Sequence, residues 1–109
     1  MKSILAMVLA FVATALCMAS PALAADADAG AQVFASTCAA CHIGGGNVVN
    51  SAKTLKQADL SANGKDTAAA IVTQVTNGNG AMPAFGNRLT AEQIDNVAAY
   101  VLAKADQGW

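Results

Sequence analysis

Cys38-Ala39-Ala40-Cys41-His42 restricts this chain more than any other stretch of it. Two thiols three residues apart lie on one side of a helical turn, and an imidazole follows directly. In an exported chain this is the attachment pattern for a c-type haem. The two sulfurs can form thioethers with the two vinyl groups of one porphyrin, which places the His42 imidazole beneath the iron. Other uses of the pentapeptide fit less well. A disulfide between Cys38 and Cys41 leaves His42 without a role. A thioredoxin-like pair needs strands around it, and none is signalled. A structural zinc needs four ligands, usually Cys or His, and the exported chain offers three.

Export is written in residues 1–24. Lys2 supplies the positive start, Ile4 to Met18 form an apolar run without charge, Pro21 breaks it, and Ala22-Leu23-Ala24 is a small-x-small cleavage signature. The run could nearly span a bilayer, which takes about 20 apolar residues, but its flanks are those of a cleaved signal. A lipid anchor at Cys17 would need a small residue before it, where Leu16 stands. No Arg- and Ser-rich transit segment precedes the run. The expected address is a bacterial periplasm or the lumen of an internal membrane system.

Cleavage after Ala24 leaves one domain, residues 25–109, of 85 residues. The full chain's formal charge of −1 argues against a nucleic-acid binder, and losing Lys2 leaves five basic residues against seven acidic ones, a net charge of −2. Cys17 departs, leaving two cysteines. Met1, Met7 and Met18 depart, leaving Met82 alone. Only 5% of the chain is aromatic, so large side chains for a core are scarce. A domain this small needs a staple, and a covalently attached ring helps to supply one.

Helical periodicity dominates the remainder. A first helix is expected from about Asp28 to Cys41, capped by Asp28, with Val33, Phe34, Thr37, Cys38 and Cys41 at i, i+3, i+4 spacing. A short helical piece follows around Thr54 to Leu60. Asp66 or Thr67 starts a third helix with Ile71, Val72 and Val75 on one face, and Asn77-Gly78 stops it. Residues 78–89, GNGAMPAFGNRL, make an ordered loop. Thr90-Ala91-Glu92-Gln93 is a capping-box pattern opening the last helix, whose apolar face is Ile94, Val97, Ala98, Val101 and Leu102. The domain is expected to be all-α.

Elimination points to the sixth iron ligand. His, Cys, Met and Tyr are the common protein ligands. After export no second His and no spare Cys remains. Met82 is the best-placed donor, in a Gly/Pro loop outside any apolar stripe and beside the restricting Pro83. Tyr100 is the weaker competitor, since its place on the last helix suits packing. His/Met ligation favours ferrous iron, raises the potential and fills both axial sites, so the electron must pass through an exposed ring edge. That describes a carrier and not an enzyme.

CAACHIGGGNVV, the segment QVTNGNGAMPAFGNRLTAEQIDNVAAYVLAKADQGW and the spacing between them resemble the cytochrome c6 family across essentially all of residues 25–109. The resemblance implies a class I cytochrome c fold, four helices around one covalently bound haem c. It implies that Gly30 and Phe34 on the first helix meet Tyr100 on the last. It further implies a monomeric carrier in the thylakoid lumen, taking electrons from the cytochrome b6f complex and passing them to photosystem I, or to a terminal oxidase in bacterial settings. Arg88 matches the arginine that the family uses in docking to photosystem I, against a plain solvated loop charge. Gln74 matches a position that can tune the potential, against a polar residue on the helix exterior. Asn50-Ser51-Ala52 departs from the Pro-containing turn frequent among relatives. Lys53, Lys56 and Lys65 could form a small positive patch or solvated surface.

Two rival functions accompany this one. The same fold could serve as a periplasmic respiratory cytochrome donating to a terminal oxidase or reductase. A weakly held Met82 would instead make a haem sensor or peroxidase with an open sixth site, which carbon monoxide binding to the reduced protein would reveal.

Overall fold

A computed structural model describes residues 25–109; the export signal expected at 1–24 lies outside the described residues. Asp26 begins the fold. Its carboxylate accepts from the backbone N–H groups of Asp28 and Ala29 at 2.9 and 3.2 Å, capping α1 (Ala27–Val33). The cap lies two residues before Asp28, the residue expected to provide it. Asp28 sits in the first turn instead, where a carboxylate also complements the helix dipole.

The expected first helix is a composite. After α1 the chain widens into a π-helical segment, Phe34–Cys38, and returns to α-helix in α2 (Ala39–His42). The Ser36 hydroxyl donates to the carbonyls of Gln32 and Val33 at 3.0 and 3.3 Å. Such back-bonding competes with the helix's own hydrogen bonds and accompanies the wider turn. The added residue rotates everything after it. Phe34 is buried and Cys41 exposed, yet Phe34, Thr37, Cys38 and Cys41 of the expected stripe all line one cavity.

A 3₁₀ turn, Ile43–Gly45, leads into a long loop. The next helix, α3 (Gln57–Ala62), starts three residues later than the expected Thr54. Thr67 caps α4 (Ala68–Asn77) by accepting from Ala70 N–H at 3.1 Å, and Gly78 ends it. Residues 78–89 are the ordered loop expected, pinned by a single antiparallel bridge between Asn79 and Met82. Both of its N–H···O bonds measure 3.0 Å. The capping box then forms as the sequence requires. Gln93 N–H donates to Thr90 Oγ1 at 3.1 Å and Thr90 N–H to Gln93 Oε1 at 2.9 Å, opening α5 (Ala91–Gln107).

Among the described residues no strand forms, and none of their helices is long and apolar enough to cross a membrane. The core lies where α5 meets α1 and α4. Val97 and Ala98 are 1% and 0% exposed and fill the centre. Ile71 and Val75 face them from α4, and Phe34, Leu60 and Phe85 complete the same cluster. Leu102 and Val72, expected on the apolar faces, are half-buried at its margin.

The crossing of α1 with α5 depends on Gly30. A Cβ there would stand 2.0 Å from the Asn96 carbonyl oxygen and 2.9 Å from Tyr100 Cβ, closer than atoms can approach. Beside it, the buried Asn96 accepts from Asp26 N–H through Oδ1 at 2.9 Å, tying the start of α1 to the middle of α5. The meeting of Gly30 and Phe34 with Tyr100 is thus present: the Phe34 and Tyr100 ring centroids are 5.2 Å apart.

Candidate functional site

One cavity of about 840 Å³ collects most of the residues that the sequence singles out. Cys38, Cys41 and His42 enter it from the π-to-α junction and α2, Met82 and Pro83 from the loop after α4, and Gln74 and Val75 from α4 itself. Phe34, Leu60, Ile71, Phe85, Val97 and Val101 give it an apolar interior. Asn47, Lys53, Thr54, Asp59, Asn63, Lys65 and Arg88 add polar groups to its lining. Apolar walls with a few polar groups suit a large, mostly apolar ligand with a charged or polar edge.

The donors match a haem. Both thiols are free. Burial pushes the Cys38 thiol up, so it stands neutral in its apolar wall. His42 Nδ1 lies 2.9 Å from the Gly46 carbonyl oxygen. A carbonyl only accepts, so Nδ1 carries the proton and the Nε2 lone pair is left for a metal. Among the described residues no three His, Cys, Asp or Glu side chains converge to hold a bare metal ion.

Met82 is half-buried, and its sulfur sits 3.8 Å from the Gln74 Nε2 donor. Gln74 is therefore beside Met82, half-buried, and not on a solvated helix exterior. Tyr100 does not line the cavity among the described residues; its ring packs on Phe34 and meets Trp109 edge-on at 6.1 Å between centroids. Of the two donors weighed from the sequence, Met82 lines the cavity and Tyr100 does not. Arg88 lies at the cavity with its guanidinium carbon 5.7 Å from the centre of the Phe85 ring, within cation–π range. Lys53 and Lys65 line the cavity whereas Lys56 does not.

Three features escaped sequence reasoning. Gly46 contributes a carbonyl, which no side-chain pattern advertises. Trp109 donates its indole N–H to the Leu55 carbonyl at 2.8 Å, across 54 positions of chain. Asp59 accepts from Thr54 through both the hydroxyl and the backbone N–H, the latter at 3.2 Å. The Thr54–Asp59 spacing was the signal available for this last contact.

The Thr54 hydroxyl, then its N–H, and last the charge of Lys56 hold the Asp59 carboxyl below the usual Asp range against partial desolvation. A depressed folded value means that this latch contributes fully above the unfolded Asp value, about 3.9, and fades as pH falls through the folded one. Asp59→Asn should therefore lower the melting temperature at pH 7, and the difference from wild type should close as the carboxylate is protonated. An equal difference at neutral and strongly acid pH would remove the carboxylate from the account.

The family described as cytochrome c oxidase, cbb3-type, subunit III matches residues 25–101. A cytochrome c6 of Rippkaea orientalis is 59% identical over 110 residues, covering 100% of this chain and 99% of that protein. A cytochrome c6 of Leptolyngbya boryana is 64% identical over 85 residues, 78% of this chain and 100% of that protein. The crystal structure of cytochrome c6 from the diatom Phaeodactylum tricornutum superposes with a TM-score of 0.75 at 53% identity. That superposition covers 77% of this chain and 99% of the diatom chain.

Proposed function

This chain belongs to the cytochrome c6 family, its residues 25–101 also falling in the family described as cbb3-type subunit III, and on that premise we propose that it carries electrons from the cytochrome b6f complex to photosystem I in the thylakoid lumen. It is an electron-transfer protein of photosynthesis and not an enzyme, and it holds one covalently bound haem c. The Rippkaea orientalis relative, matched over the whole of this chain, is a cytochrome c6, and the respiratory alternative is not favoured.

The residue roles follow from one observation: Cys38, Cys41, His42 and Met82 line the same cavity. In our reading Cys38 and Cys41 would hold the ring through thioethers, and His42 and Met82 would ligate its iron. When bound, the haem supplies a one-electron iron couple. Gly46 orients the His42 imidazole through Nδ1, and Gln74 presents an N–H to the Met82 sulfur. Ligation by a neutral thioether and an imidazole would raise the potential, and the apolar wall of Phe34, Leu60, Ile71 and Val101 would limit water.

Residues 1–24 act as a signal peptide in this reading and residues 25–109 as the working domain. The Leptolyngbya relative supports it, because its whole length is matched by 85 residues, the number that cleavage after Ala24 would leave.

Ile43, Val48 and Val49 are 71%, 67% and 65% exposed, and Val49 lines the cavity. Apolar side chains exposed next to a redox centre suit brief docking without a large buried interface. Arg88 supplies a charge at the same cavity. The net charge of −2 is weak, so the encounters should be short and salt-sensitive.

Two measurements test this reading. Protein exported from a host that matures c-type cytochromes should stain for haem after denaturation and show the weak red sulfur-to-iron band when oxidised. Haem without that band would reject Met82. Arg88→Glu should keep the spectrum and slow photosystem I reduction several-fold at low salt, as a rim charge does. Unaltered kinetics would reduce Arg88 to a surface charge.

A further inference from the structure

The Trp109 side chain makes two contacts that the haem cavity does not account for, since Trp109 is not among the described residues lining it. Its ring covers Gly45. A Cβ on Gly45 would stand 2.4–2.6 Å from three ring atoms, so the indole presses directly on the backbone there, and Gly45 has a left-handed φ of 79° that favours glycine. Its indole N–H reaches the Leu55 carbonyl at 2.8 Å. Gly45 and Leu55 are themselves joined, Leu55 N–H donating to the Gly45 carbonyl at 2.8 Å. One side chain therefore grips both ends of the loop between them.

The grip is well anchored. Gly108 takes a left-handed turn after α5, and Trp109 N–H donates back to the Lys104 carbonyl at 2.8 Å. The indole packs on Phe34 at 5.4 Å between ring centroids. Trp109 itself has a φ of 62°, a conformation that a bulky residue keeps only when its contacts outweigh the strain.

The residue next to Gly45 is Gly46, whose carbonyl accepts from His42 Nδ1 at 2.9 Å. We propose that Trp109 is a positioning residue for His42: by pressing on Gly45 and holding Leu55, it fixes the loop so that the Gly46 carbonyl stays where the imidazole donates to it. The proposal rests on the reading of His42 as a haem ligand. Partners of this kind set the orientation and basicity of a ligating histidine, so a residue that fixes the partner acts on the iron without touching it.

The test uses holoprotein and the exchange of the His42 Nδ1 proton with solvent, followed by proton NMR. In the oxidised wild type the His42 ring protons should first show the large paramagnetic shifts of an iron ligand. Their absence would overturn the ligand reading itself, and this proposal with it. Trp109→Phe keeps a ring over Gly45 and removes the N–H to Leu55. It should speed Nδ1–H exchange about five- to tenfold, the effect of one hydrogen bond, while amide exchange at Ile71 and Val75 in α4 stays at the wild-type rate. Trp109→Ala loses both contacts and should speed it further; if that variant does not fold, Trp109→Phe carries the test alone. With the paramagnetic shifts present, an unchanged Nδ1–H rate in Trp109→Phe would overturn this proposal and leave the ligand reading intact. So would an equal acceleration at α4, which would mark a loss of overall stability.

Discussion

Met82→Ala is expected to keep its covalent haem, lose the red sulfur-to-iron band and bind carbon monoxide when reduced, with a midpoint potential lower by on the order of 0.1 V or more. The reasoning is local. Met82 is the one methionine in residues 25–109, it lines the cavity with His42, and the Gln74 Nε2 donor stands 3.8 Å from its sulfur. Alanine leaves that donor facing a space that water or an added ligand can fill, and an oxygen ligand favours ferric iron more than a thioether does. Attachment through Cys38 and Cys41 should be untouched, so a denaturing gel stained for haem serves as the internal control. Redox titration and the oxidised and reduced spectra decide the matter. A variant with the wild-type band and potential would remove Met82 from the iron.

Gly30→Ala should destabilise the domain by about 3 kcal/mol, at the upper end of the usual cost of overpacking. For a domain of this size that lowers the melting temperature by roughly 12–24 °C. The sign makes this informative. In an unconstrained helix interior, replacing Gly by Ala gains roughly 0.5–1 kcal/mol. Here the added methyl would stand 2.0 Å from the Asn96 carbonyl oxygen and 2.5 Å from its carbon. Backbone cannot rotate aside as a side chain can, so α1 and α5 must separate. The separation would also strain the Asp26 N–H bond to Asn96 and the contact of Phe34 with Tyr100. Thermal unfolding of the holoprotein measures it. A melting temperature equal to or above wild type would contradict the close crossing.

Much of the fold was legible because its signals are local. The Thr90–Gln93 capping box spans four residues and forms as written. The Asn77-Gly78 stop and the Gly/Pro loop after it fall where composition puts them. Where the reading slipped, a competing hydrogen bond had won. Asp26 caps α1 in place of Asp28 because it already precedes the helix and its own N–H is held by Asn96, 70 positions away. Ser36 bonds back to Gln32 and Val33, and the accompanying π-helical turn shifts the register before Cys38. The helix is therefore a composite, although Phe34, Thr37, Cys38 and Cys41 still line one cavity.

By itself the sequence determined which atoms are available to a haem: two thiols and an imidazole at fixed short spacing, and one thioether in the same domain. It also determined the helical character, since capping residues and apolar period are written within a few positions of each other. The tertiary structure decided which of these atoms meet. It brought Met82 to the cavity and turned Tyr100 into the aromatic packing, set the proton on His42 Nδ1 through the Gly46 carbonyl, and placed Trp109 over the loop that carries Gly46. The physical reason is range. A carbonyl acceptor has no side-chain signature, and contacts such as Trp109 to Leu55 join residues that only the packing of α5 against α1 brings within reach.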